Sequence, residues 1–101
     1  EAPHEKLGPH AFSIVVREEA GFTKDAFVAS LDEAGIDSRN LFYAMPTQCP
    51  SYAFLGHHLG DFPEAEFCSR SGTHIGIHQD IEQHQLDYVV DCVSAFLEKT
   101  V

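Results

Sequence analysis

The stretch AFSIVVREEAGFTKDAFVASLDEAG, residues 11–35, changes its hydrophobic period once, and that change decides the class of fold. From Ala11 to Arg17 the β-branched Ile14, Val15 and Val16 lie in a short apolar run, which predicts a strand covered on both faces. Glu18 to Gly21 turns the chain. Thr23 can then cap a helix whose first turn contains Asp25, with Phe27, Val28, Leu31 and Ala34 at helical spacing and Gly35 as its stop.

Working outward, residues 1–9 hold two prolines and a glycine without an apolar period and are expected to form an arm or linker. On the other side, Ile36 to Phe42 is read as a second strand, with Ile36, Leu41 and Phe42 as its candidates for burial. Pro46 and Pro50 make Ala44 to Ser51 a loop, followed by a helical turn from Ser51 to Leu55. Pro63 stands at a first helical position, and Glu64 and Glu66 suit the positive end of the dipole of a helix running to about Ser71. Beyond Gly72, Ile75 and Ile77 alternate as in a strand, where Gly76 would permit close backbone approach. Leu86, Val89, Val90, Val93, Phe96 and Leu97 then form one apolar stripe on a helix from about Glu82 to Lys99, with Asp87, Asp91, Glu98 and Lys99 outside. The order predicts an α/β (α+β) sandwich: a small, mainly antiparallel sheet with helices on one face. Residues 10–101 form a single domain in this reading.

Composition narrows the function. With 44% hydrophobic and 11% aromatic residues among 101, the chain can bury a core. Six Lys and Arg against sixteen Asp and Glu give a net charge of −10, without a basic cluster, which argues against nucleic acid. No apolar run approaches the roughly 20 residues that span a bilayer, so no membrane partner is expected. Three widely spaced cysteines, Cys49, Cys68 and Cys92, suggest no disulfide framework and point to a reducing cytoplasm. Met45 is the only methionine, so a trimmed or processed chain is expected.

Seven histidines invite a metal hypothesis, centred on His57, His58, His74 and His78. On one strand, however, His74 and His78 would stand roughly 13 Å apart at about 3.3 Å per residue, too far to share an ion. No metal site is therefore expected. Cys92 falls on the last helix, where burial makes a thiol inert, and Cys49 in the proline loop is the cysteine to test for reactivity. Glu64 and Glu66 point to different sides of their helix and read as its solvated start, not as a paired acid and base. Neither a nucleophile elbow nor a phosphate-cradling glycine loop is present, and no catalytic residue is assigned. From Arg39 to Tyr52 the pattern differs. Arg39, Tyr43, Thr47, Gln48 and Tyr52 mix donors with aromatic residues, as contact with an oxygen-rich ligand requires. Equally open is a reading in which Arg39 pairs with Asp37 and the tyrosines fill the edge of the core.

Five segments in order carry a family resemblance: Gly35-Ile-Asp-Ser-Arg-Asn-Leu-Phe-Tyr, Pro46-Thr-Gln-Cys-Pro-Ser-Tyr, Phe62-Pro-Glu-Ala-Glu, His74-Ile-Gly-Ile-His and Leu86-Asp-Tyr-Val-Val. From about His10 onward the chain resembles the C-terminal portion of the DegT/StrS-type, pyridoxal-phosphate-dependent sugar aminotransferases and their dehydratase relatives. The resemblance implies the small domain of a fold-type I enzyme acting on a keto nucleotide sugar, in deoxyaminosugar, surface-polysaccharide or secondary-metabolite biosynthesis. It implies pyridoxal phosphate for the parent enzyme and none for the fragment, since Lys6, Lys24 and Lys99 match no Schiff-base lysine. The partners it implies are the missing large domain and a nucleotide-sugar substrate; truncation would leave apolar surface exposed where the large domain packs, so the isolated domain is expected to self-associate as a homodimer.

Residue by residue, Gln48 matches the glutamine of the family's Pro-x-His-x-Gln loop, with Pro46 in the histidine's place. His78 matches the histidine of a Leu-Pro-Leu-His-Pro segment whose prolines are here Gly76 and Gln79. Arg39, Phe42 and Tyr43 match the stretch after the Gly-Ile turn, which slightly favours a dehydratase-like or perosamine-synthase-like parent. Arg39, Tyr43, Thr47, Gln48 and His78 are thus the substrate-binding candidates. The alternative is a free-standing acidic α/β binding or interaction module, because fold alone does not fix function.

Overall fold

The computed structural model describes residues 2–41 and 45–100. Among these, the elements follow the expected order: β1 (Ala11–Val15), α1 (Lys24–Glu33), β2 (Ser38–Asn40), α2 (Pro63–Ser71), β3 (Gly72–Gly76) and α3 (Gln83–Thr100). Short 3-10 segments at Glu18–Ala20, Pro46–Gln48 and Pro50–Leu55 fill the connections. The sheet is antiparallel with strand order β1-β3-β2, so the last strand in sequence is the central one. Opposite residues share a face: Phe12 with Ile75 and Ser38, and Ser13 with His74 and Arg39.

Thr23 caps α1 as its sequence demands, its Oγ1 accepting the Ala26 amide at 3.1 Å. At the other end Gly35 takes the left-handed conformation, φ 78°, that stops a helix. This helix carries the core: Phe27 and Leu31 are buried, joined among the described hydrophobic residues only by Val16 and Met45. Thr73 at the sheet's centre is wholly buried and donates its hydroxyl to the Arg39 carbonyl at 2.9 Å, stitching β2 to β3. Along α3, Phe96 packs edge-on to Phe22 and Phe27. Tyr88 donates its hydroxyl to the Ala34 carbonyl at 2.5 Å, tying α3 to the end of α1. The Cys92 thiol, by hydrogen bond and charge repulsion, raises the Tyr88 hydroxyl above its ordinary value of 10.0, so it stays protonated as a donor at neutral pH.

Four expectations need correction. β1 is not covered on both faces: it is an edge strand, and Phe12 is 56% exposed. Strand β2 is confined to Ser38–Asn40, with Phe42 outside the described residues. Helix α3 buries none of its apolar stripe, and Leu86, Val90 and Leu97 are exposed. The close approach lies at Gly72, not at Gly76, which has open space beside it.

A Cβ at Gly72 would run into the Leu41 side chain and the Cys68 carbonyl oxygen, where α2 turns directly into β3. Because that carbonyl is backbone, relief requires moving the helix. Gly72→Ala is expected to lower stability by about 1–3 kcal/mol; Gly76→Ala should change it much less. Chemical denaturation of the two variants checks the ranking.

The exposed arm at residues 3–10, the exposed loop at residues 51–64 and the uncovered stripe accompany a large total surface. Accessible surface is 7793 Å², against about 5,700 Å² for a compact monomer of this mass. The radius of gyration is 16.4 Å, where about 13 Å is usual for this length. Among the described residues, no helix is long and apolar enough to cross a membrane.

Candidate functional site

The site is built on the segment between β2 and α2. Two consecutive 3-10 turns, each with proline in its first turn, carry Thr47 and Gln48 in the first and Cys49 at the junction between them. Gly56 and Gly60, both at positive φ, then fold the return strand of the loop back toward them. Between the two limbs lies an open depression of about 340 Å³, lined by Thr47, Gln48, Cys49, His57, His58 and Leu59 among others.

Glu66 holds this loop. Its Oε1 accepts the Gln48 side-chain amide at 2.8 Å and the Gly60 backbone N–H at 2.7 Å, one oxygen fastening both limbs. The expectation of a solvated glutamate is thereby corrected: Glu66, one turn into α2, is half-buried and structural. Sequence reasoning missed it because its partners are 18 and 6 residues away. A carboxylate near the helix start beside a glycine-rich loop was the available signal. The loop is further fixed by the His58 N–H donating to Asp61 Oδ2 at 2.7 Å and by the edge contact of His57 with Phe62.

Chemically, the loop side of the depression presents one free acceptor. Gln48 spends its amide N–H on Glu66, leaving its side-chain oxygen as an acceptor. Thr47 Oγ1 is shielded from water and has no hydrogen-bond partner. The Cys49 thiol is occupied, donating to the Met45 carbonyl at 3.3 Å.

Of the other candidates, Arg39 lies elsewhere, lining a depression of about 400 Å³ with Val28, Ser38, Asn40 and Thr73. It is exposed, and among the described residues it forms no ion pair, with Asp37 or otherwise. Tyr43 lies outside the described residues. Tyr52 is exposed and does not fill a core edge. His78 lines neither depression; β3 stops at Gly76, and the exposed imidazole accepts the Asp80 N–H at 3.2 Å. The structure therefore brings Thr47 and Gln48 together and keeps Arg39 and His78 apart from them.

The described residues offer no fit for pyridoxal phosphate. Lys24 donates to Asn40 Oδ1 at 3.0 Å and lies 3.9 Å from Asp25. Lys6 sits on the exposed arm and Lys99 in the last turn of α3. None of the three is free and enclosed as a Schiff-base lysine must be. Among the described residues, no group of three or more His, Cys, Asp or Glu side chains could hold a metal ion. All three cysteines are free thiols, half-buried.

The fold and much of the sequence recur in known proteins. The chain is 26% identical over 99 residues to dTDP-4-dehydro-2,6-dideoxy-D-glucose 3-dehydratase of Saccharopolyspora spinosa, covering 97% of this chain and 21% of that one. It is 30% identical over 99 residues to GDP-perosamine synthase of Caulobacter vibrioides, covering 94% and 26%. The chain thus spans about a quarter or less of these relatives. A proposed sugar aminotransferase of Streptococcus pneumoniae, Spr1654, shares the fold in its PMP form, with TM-score 0.70 and 19% identity over 90% of this chain and 23% of that one. Its apo form superposes with TM-score 0.69. The shared fold agrees with a family model that matches residues 1–94: the chain belongs to the DegT/DnrJ/EryC1/StrS aminotransferase family.

Proposed function

We propose that this chain is the small C-terminal domain of a pyridoxal-phosphate enzyme that acts on a keto nucleotide sugar, by amino transfer or by dehydration. One observation carries the reading: nearly the whole chain aligns with two nucleotide-sugar enzymes while filling only 21% and 26% of them. When bound elsewhere in the parent, the cofactor supplies an electron sink. The task of this domain is to present polar groups to the sugar nucleotide. Gln48 offers a carbonyl from the Glu66-anchored loop, Thr47 lines the same depression, and Arg39, in a separate depression, offers a guanidinium suited to phosphate. The parent works in the cytoplasm as a homodimer in this reading.

The test titrates residues 1–101 with dTDP- and GDP-sugars while following amide and side-chain NMR shifts, in parallel with activity of the full-length gene product. The expected result is shifts confined to Arg39 and the 45–62 loop, with the isolated chain showing neither transaminase activity nor a cofactor absorbance band. A stoichiometric band surviving dialysis of the isolated chain would overturn the division of labour. Inactivity of the full-length protein on all keto nucleotide sugars would overturn the function.

A further inference from the structure

Leu86, Val90, Val93 and Leu97 follow one another along α3 at intervals of four, three and four residues, the spacing that aligns one helix along another. This stripe is not the one that holds α3 in place, which runs through Tyr88 and Phe96 to α1 and its flanking Phe22. Val90 is 61% exposed. Val93 and Leu97 also form one wall of an apolar groove of about 540 Å³, opposite Phe12 of the edge strand β1.

We infer that this seam seats an amphipathic helix of the parent polypeptide, lying outside residues 1–101 and carrying Lys or Arg beside its apolar stripe. The inference rests on the reading of the chain as one domain of a larger enzyme.

Length and charge together select that occupant. The relatives are about four to five times as long as the matched region, so most of such a parent polypeptide lies outside it. A second copy would fit the groove less well. The outer flank of the seam carries Asp87, Asp91 and Glu98, with Lys99 the only Lys or Arg on the helix, and the chain has net charge −10. Two copies of α3 packed together would set carboxylates against carboxylates; a basic-flanked helix turns the same groups into complementary partners.

A photo-crosslinking residue at position 90 of the full-length gene product tests this directly. The expected product is a link within one polypeptide, mapped by mass spectrometry to a helical segment outside residues 1–101 with Lys or Arg beside its apolar positions. A link to a second copy, a link to an acidic or non-helical segment, or no link at all overturns the inference. Val90→Glu gives an independent readout. It should leave the unfolding midpoint of residues 1–101 unchanged, yet speed amide exchange at Leu86 and Leu97 of the full-length protein roughly tenfold as the seam is uncovered. Unchanged exchange would also overturn the inference. Activity of the unmodified full-length protein on keto nucleotide sugars is scored separately, so a failure of docking and a failure of the functional reading are distinguishable.

Discussion

Leu31→Ala is expected to cost about 2–5 kcal/mol and to leave much of the isolated chain unfolded. Leu31 is 2% exposed, the most enclosed of the four buried hydrophobic residues described. It sits one turn beyond Phe27 on α1, the helix that contacts both the sheet and α3. Truncation removes the transfer energy of its side chain and leaves a cavity that the surrounding sheet and helix can close only in part. Native domains hold about 5–15 kcal/mol in all, and a chain whose α3 stripe is uncovered has a smaller share of that in reserve. Urea denaturation followed by circular dichroism reads the effect as a fall in midpoint. Leu86→Ala, at an exposed position, should stay within about 0.5 kcal/mol in the isolated chain. Equal midpoints for the two variants would show that α1 is not the centre of the fold.

Glu66→Ala should have the largest effect on the candidate site. One carboxylate oxygen holds Gln48 and Gly60, so its loss releases both limbs of the loop at once. Hydrogen bonds to charged groups contribute about 1.5–3 kcal/mol when protected from water, and partial exposure reduces that. The expected outcome is faster amide exchange at Gly60, with little change in the core. In the full-length enzyme, the KM for the nucleotide sugar should rise roughly tenfold while kcat changes less, as expected when ground-state and transition-state binding are lost together. Glu66→Gln keeps an acceptor and should fall between wild type and the alanine variant. Unchanged exchange and unchanged KM in Glu66→Ala would remove the loop from the site.

The sequence carried the local parts of this structure and missed what depends on distance. Thr23, Gly35 and Pro63 announce helix ends through groups within a turn of themselves, and α1 and α2 begin and stop where those residues place them. The periodicity of α3 is equally local, and its helix was legible. Whether the stripe is covered is another matter. Periodicity shows which face is apolar, not what lies against it, so Leu86, Val90 and Leu97 read as core and prove exposed. Gly72 and Gly76 were indistinguishable as letters; only the direct run of α2 into β3 crowds the first. At the site, Thr47 and Gln48 are neighbours in sequence and meet in one depression, whereas Arg39, grouped with them by chemistry, lines a separate one. Glu66 was misread for the same reason, since its role exists only once the loop has folded back.

Placing the last strand at the centre of the sheet also sets the order of folding. β1 and β2 each pair with β3 and not with one another, and Ala11 must find Gly76, a partner more than sixty residues further along the chain. As the chain emerges from the ribosome, α1 can form early, but no strand pair can close until β3 is made. Contacts of such long range pay their loop entropy before any reward and make folding slow. Until then β1 is an unpaired apolar strand, and chaperone capture or aggregation would compete for it.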